Sequence, residues 1–318
     1  MTSAIVGVGA ALPERIVPNS YFAEHLDTSD EWIVKRTGIR ERRWLDTDAS
    51  LAELATRACR DALTLSGRNP VDVHHLVVAT TTPDRITPGV AVEVAALLGM
   101  PRPAAFDLHA ACAGFVYALD HACALIQTGR AECVLVCGAE ALTRIIDRTD
   151  RSTAVLFGDA AGAVLLAAVP DMPEPSFALG SDGKLMSLLY VDRHDSVVRM
   201  RGSEIYEHAI EKMSHCTKIA LDRRGLKISD IDLFIAHQAN ERIVRGAARM
   251  LEIPDDRLYL NVDRMANTSS ASVPVAITHA HQEGRLRGNA LIGLAAFGAG
   301  ITWGAGVIGC NLEGAQCT

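Results

Sequence analysis

An α/β fold made of two similar halves is predicted by three features of the sequence: alternating strand and helix patterns, an internal repeat, and a Pro-rich seam. Short apolar runs such as LVVAT at 76–80 and CVLVCGAE at 133–140 alternate with longer segments of helical character. That alternation implies mixed or parallel sheets covered by helices. The repeat pairs LVVAT with LFIAH at 233–237, and ACAGFVYALDHACALIQTG at 111–129 with ANTSSASVPVAITHAHQEG at 266–284. It continues with CVLVCGAE against ALIGLAAF at 290–297, and FGDAAGAVLL at 157–166 against FGAGITWGAGVI at 297–308. Each half therefore reads strand, helix, strand, glycine turn, strand. Only two long copies occur, which excludes a short-period solenoid. The seam, VPDMPEP at 169–175, divides the chain into residues 1–168 and 175–318.

Composition narrows the function. With 318 residues, 49% hydrophobic and 22% charged, the chain can bury a large core and is not intrinsically disordered. A net charge of −7 argues against a nucleic-acid binder, which would carry a basic excess. The eight cysteines form no Cys-x-x-Cys, so no zinc site is expected and a reducing cytoplasm is. His74-His75 and His279-x-His281 do not have the helical spacing of metal ligands. The start, MTSAIVGVGAALPE, lacks the pattern of a secretory signal, and its GVGAALPE lacks the third glycine of a dinucleotide-binding turn. The uncharged stretch Ala290 to Cys310 is long enough to cross a membrane but holds six glycines. Two buried strands joined by a glycine turn explain it better.

The repeat also bears on chemistry. Pro274 belongs in a first helical turn, so the second-half helix is expected to start between Ser270 and Val273, with Asn267 just before it. By the repeat offset, Cys112 takes the matching place in the first half. A helix start offers free N–H groups that favour a thiolate. His237 ends its strand, and related halves facing each other would bring Cys112, His237 and Asn267 to one interface. By composition alone, each also has an ordinary reading: a small buried thiol, a core histidine and a helix cap.

Six motifs in order add a resemblance. TSDEWIVKRTGIRERR at 28–43, AACAGF at 110–115, DRSTAVLFGDAAGAVLL at 150–166, HQAN at 237–240, NTSSASVP at 267–274 and FGAGITWGAG at 297–306 resemble the β-ketoacyl-acyl-carrier-protein synthase III family of the thiolase-like superfamily. The resemblance implies a layered αβαβα body of two duplicated halves with mixed sheets. It implies a homodimeric cytoplasmic enzyme with a Cys112–His237–Asn267 triad and no permanently bound cofactor. Cys112 would take an acyl group from acyl-CoA, and malonyl-acyl-carrier protein would lose carbon dioxide and attack that group.

The same resemblance assigns an oxyanion hole to the backbone N–H groups of Cys112 and Ala299. It places Thr28, Trp32, Arg36, Arg151, Ser203, Ala239 and Asn240 on CoA. Arg242, Arg245 and Arg249 would receive the acidic carrier protein. Ile86 and Thr87 fall in a loop that closes the acyl pocket of the dimer partner; threonine there admits a longer or branched primer. Related readings are a priming ketosynthase of secondary metabolism and an acyltransferase to oxygen or nitrogen that does not decarboxylate. A non-catalytic scaffold that binds carrier protein is the reading from another class.

Overall fold

Strands without a polar side form the centre of the molecule, because a strand covered on both faces reads as a continuous apolar run. The computed structural model describes residues 2–170 and 172–312; of the cysteines, Cys317 lies outside the described residues. The strands of its main sheet are β1 (Thr2–Ala11), β2 (His75–Ala79), β3 (Ala104–Leu108), β4 (Cys133–Ala141), β5 (Asp159–Val169), β6 (Ser176–Ser181), β7 (Leu233–Ala236), β8 (Asn289–Gly298) and β9 (Thr302–Asn311). They lie in the order β7-β8-β9-β1-β5-β4-β2-β3, with β6 also on β9. Strands from residues 2–169 thus form one group and strands from 176–311 the other. The join is narrow: β1 meets β9 only at Ala4–Gly309 and Ile5–Cys310, while β6 occupies the rest of that edge.

Glycine and alanine make the uncharged C-terminal stretch a hairpin and not a span. β8 and β9 pair antiparallel from Asn289–Asn311 to Gly298–Thr302. Among the described residues, no helix is long and apolar enough to cross a membrane.

The longer helices are α1 (Asp30–Thr37), α2 (Leu51–Ser66), α3 (Val90–Leu98), α4 (Gly114–Gln127), α5 (Gly202–Asp222), α6 (Glu241–Met250) and α7 (Ser272–Gln282). α2 and α3 cover the outer face of the first strand group, and α5 and α6 that of the second. α4 and α7 lie between the groups in a shared core, where Phe115, Leu119 and Ile277 join Val77, Val164, Leu233 and Ile292. The layering is αβαβα.

Two 3-10 turns precede the central helices, Ala111–Ala113 before α4 and Ser269–Ala271 before α7. Each opens on a left-handed residue, Ala111 at φ 47° and Ser269 at φ 49°. Each also presses on a glycine of the opposite strand group. A Cβ on Gly298 would lie 2.6 Å from the Cys112 nitrogen, and one on Gly138 would lie 2.2 Å from the Ser270 carbonyl oxygen. No side chain fits either contact.

Turn matched to turn, the counterpart of Cys112 is Ser270, three residues beyond Asn267. The repeat offset read from sequence therefore equates the wrong pair. The reason is local: Asn267 is not yet helical but bridges Phe157 in a short parallel contact, with Asn267 N–H on the Leu156 carbonyl and Gly158 N–H on its own.

Candidate active site

A thiol, an imidazole and a carboxamide from three separate segments line one cavity of about 1030 Å³: Cys112, His237 and Asn267. Cys112 stands in the turn before α4, half-buried. His237 follows β7, its N–H on the Ala295 carbonyl, and is 3% exposed. Asn267 is held by its bridge to Phe157.

The polarity of each group follows from its partners. Asn267 Oδ1 accepts the Ser269 N–H at 2.9 Å, which orients the amide and leaves its NH2 for the cavity. The side chain thus braces the turn before α7 and faces the cavity at once. Ser272 Oγ accepts the Gln238 N–H at 2.7 Å and lies 3.0 Å from His237 Nδ1. With the Ser272 hydroxyl donating to Nδ1, the imidazole proton is assigned to Nε2. Burial pushes the His237 ring down to about 4, so it is a neutral donor at physiological pH.

That shift carries a stability signature. A histidine whose folded pKa lies below its unfolded value stabilises the fold fully above about pH 6.5 and loses that contribution as pH falls toward about 4, by about 3 kcal/mol. Urea unfolding at pH 7 and pH 4 should show His237→Gln losing about 3 kcal/mol less than the wild type. Equal losses in both proteins would contradict it.

Cys112 departs from expectation in the free chain. Burial pushes its thiol up to about 11, the Glu140 charge adds to the rise, and the neighbouring Ser269 hydroxyl opposes it. Desolvation outweighs the helix start, which lies two residues on at Gly114.

The other expected residues divide into two sets. Trp32, Arg36, Ser203, Ala239, Asn240, Arg242 and Ala299 line the same cavity. Arg36 and Arg151 hold their guanidinium carbons 4.3 and 5.0 Å from the Trp32 ring centre, and Arg151 also donates to the Asp27 carbonyl. Arg151 lies outside the lining and packs on its Trp32. Thr28 lies outside the lining, its hydroxyl buried and without a partner.

Arg242 stacks on Tyr206 at 5.3 Å. Arg245 is tied to Glu241 at 2.7 Å and to Asp255 at 3.4 Å, while Arg249 is exposed. Ile86 and Thr87 sit on an exposed loop, Ile86 84% exposed, away from the cavity of their own chain. Ala299 follows the Gly298 contact, and Thr302 Oγ1 reaches both the Ala110 and Ala299 carbonyls, tying this turn to that of Cys112.

Sequence reading missed Glu140, Ser269 and Ser272. Their signals were present: a charged residue inside the otherwise apolar strand β4, and serines crowded into NTSSASVP.

Layered αβαβα architecture with cysteine, histidine and asparagine meeting at one cavity defines the thiolase-like class of condensing enzymes. Within that class the assignment is specific. Sequence profiles described as 3-oxoacyl-[acyl-carrier-protein (ACP)] synthase III and its C-terminal part match residues 106–183 and 221–310. A relative from Roseobacter denitrificans named beta-ketoacyl-[acyl-carrier-protein] synthase III is 45% identical, over 97% of this chain and 99% of its own. The crystal structure of 3-oxoacyl-[acyl-carrier-protein] synthase III from Aquifex aeolicus superposes with a TM-score of 0.93 at 39% identity, covering 96% of this chain and 99% of the other. The priming β-ketosynthase of the R1128 polyketide pathway superposes at 0.92 with 32% identity, covering 98% and 96%. The chain belongs to the β-ketoacyl-[acyl-carrier-protein] synthase III family, and it is an enzyme.

Proposed function

We propose that this protein takes an acyl group from acyl-CoA onto Cys112 and condenses it with malonyl-acyl-carrier protein, starting a fatty-acid or polyketide chain in the cytoplasm. The observation that supports this reading is the single cavity joining Trp32 and Arg36 to Cys112, His237 and Asn267. The Cys112 sulfur attacks the thioester carbonyl, the acyl–CoA C–S bond breaks, and CoA leaves as its thiol with the proton that Cys112 gives up. Malonyl-carrier protein then loses carbon dioxide, and the enolate oxygen that develops is held by the His237 Nε2–H and the Asn267 amide. The enolate carbon attacks the acyl carbonyl, whose oxyanion rests on the N–H groups of Cys112 and Ala299. Cys112 leaves as the thiolate, and a β-ketoacyl-carrier protein remains. No step calls for a permanently bound cofactor.

Intact-mass spectrometry after incubation with a panel of acyl-CoAs tests the reading. An adduct on the Cys112 peptide, followed by carbon dioxide release from malonyl-carrier protein, is expected. No adduct with any acyl-CoA would overturn it. Release of the acyl group to an alcohol or amine without carbon dioxide would instead support the acyltransferase reading.

In the proposal Trp32, flanked by Arg36 and Arg151, stacks on the adenine of CoA; Ser203, Ala239 and Asn240 line the pantetheine tunnel, and Thr28, outside the cavity lining, makes no CoA contact. Trp32→Ala should raise KM for acyl-CoA about tenfold in steady-state assays with kcat little changed, since base–aromatic stacking contributes about 1–3 kcal/mol. An unchanged KM would remove Trp32 from the CoA site. Exposed Arg242 and Arg249 steer the acidic carrier protein; Arg245, already neutralised by Glu241 and Asp255, adds little.

The working unit is taken to be a homodimer of a two-half chain, 1–168 and 175–318, with Ile86 and Thr87 closing the partner's acyl pocket. The support is edge strand β3, with Phe106 37% exposed beside the exposed Ile86 loop, because an open strand edge is ordinarily covered. Phe106→Asp should shift the sedimenting species from dimer to monomer; a wild type that sediments as a monomer would refute the dimer.

A further inference from the structure

Glu140 is a carboxylate that nothing in the condensation chemistry above uses. It sits in β4 with no exposure to solvent, and none of the ion pairs among the described residues includes it. Burying such a group is costly unless its oxygens are satisfied. Here they are satisfied by neutral donors only. Thr81 N–H donates to Oε2 at 3.0 Å and Thr82 Oγ1 at 2.6 Å. Thr82 cannot turn its proton elsewhere without loss, because its oxygen accepts the Ala141 N–H at 2.8 Å.

The other oxygen faces the site. Ser269 Oγ donates to Oε1 at 3.0 Å, Ser269 lines the Cys112 cavity, and the Ser269–Ala271 turn packs against the Ala111–Ala113 turn that carries Cys112. Ser270 is a poorer carrier, since its single proton is shared between Oε1 at 3.0 Å and the Ala79 carbonyl at 2.7 Å. With its own proton on Glu140, Ser269 keeps lone pairs for the thiol. The line is Cys112 S–H, Ser269 O–H, Glu140 carboxylate. Ser269 is fixed in it by the left-handed backbone at φ 49° and by its N–H on Asn267 Oδ1.

We propose that Glu140, acting through the Ser269 hydroxyl, receives the Cys112 thiol proton as the sulfur attacks the thioester, and returns it to the departing CoA sulfur. The inference rests on the acyl-transfer reading of Cys112. As the S–C bond forms, the S–H proton passes to Ser269 Oγ and the Ser269 proton passes to Oε1. As the thioester C–S bond breaks, the same two transfers in reverse give CoA thiol and restore the carboxylate. A thiol ionising alone beside Glu140 would place two negative charges in a buried site; the relay never holds more than one there. Glu140 is therefore a positioning residue. The cavity lining holds two histidines besides Cys112, His109 and His237, with the carboxylates Asp192 and Glu207, the phenols Tyr190 and Tyr206, and the guanidiniums Arg36, Arg193 and Arg242.

Two rates on the full-length protein test this. They are single-turnover acylation by acyl-CoA, and alkylation of the free thiol by iodoacetamide across pH. Glu140→Gln removes the repelling charge and the proton acceptor together. Its alkylation at neutral pH should rise about tenfold while acylation falls about 100-fold. A merely structural role would move both rates down. Both rates falling together, or acylation unchanged, overturns the relay. If Glu140→Gln does not fold, Ser269→Ala decides: acylation down about 100-fold with alkylation no faster supports the relay, and unchanged acylation overturns it. A wild type that acylates while the variants match it refutes the relay alone; a wild type that takes no acyl group refutes the functional reading as well.

Discussion

Replacing Cys112 with alanine is expected to abolish acyl transfer, with condensation falling at least about 1000-fold. The size of the effect follows from the absence of a substitute. The remaining described cysteines are buried elsewhere: Cys59 on α2 with Cys133 and Cys137 in the outer core, Cys123 and Cys310 in the central core, and Cys216 on the buried face of α5. None lines the cavity. Mass spectrometry should find no acyl adduct on Cys112→Ala with an acyl-CoA that labels the wild type, and circular dichroism should find the fold intact, since a half-buried thiol is a small loss of packing. An adduct that survives the substitution would move the nucleophile to another residue.

His237→Ala and Asn267→Ala are expected to split the reaction. Both side chains point a neutral donor into the cavity, one fixed by Ser272 and the other by Ser269. As neutral donors held by Ser272 and Ser269, neither offers the sulfur a proton acceptor. Decarboxylation of malonyl-carrier protein should therefore fall about 100- to 1000-fold in either variant, the cost of about 2.7–4 kcal/mol for one preorganised donor. Acylation of Cys112 should stay within a few-fold of the wild type. Labelled acyl-CoA and carbon dioxide release, followed separately, check the division. Lost acylation with decarboxylation intact would reverse the roles.

Much of this was legible in the residues. The apolar runs that became β2, β4, β7 and β8 announced strands buried on both faces, and Pro274 placed the start of α7 to within a turn. The glycines of 290–310 spoke for a hairpin against a membrane span, and AACAGF, HQAN and NTSSASVP singled out the thiol, imidazole and amide that now share one cavity. What misled was counting. The repeat offset paired Cys112 with Asn267, whereas a bridge to Phe157 keeps Asn267 out of the turn that corresponds to that of Cys112.

The sequence by itself determined the class of fold and the identity of the reacting groups, because periodicity and residue chemistry are local properties carried by each segment alone. Only the tertiary structure decided their state. Burial against the opposite strand group raises the Cys112 thiol and lowers the His237 ring. Hydrogen bonds from residues far apart in the chain aim Asn267 and set Glu140 behind Ser269. Protonation and orientation depend on what surrounds a group, and these surroundings come from both halves of the chain at once.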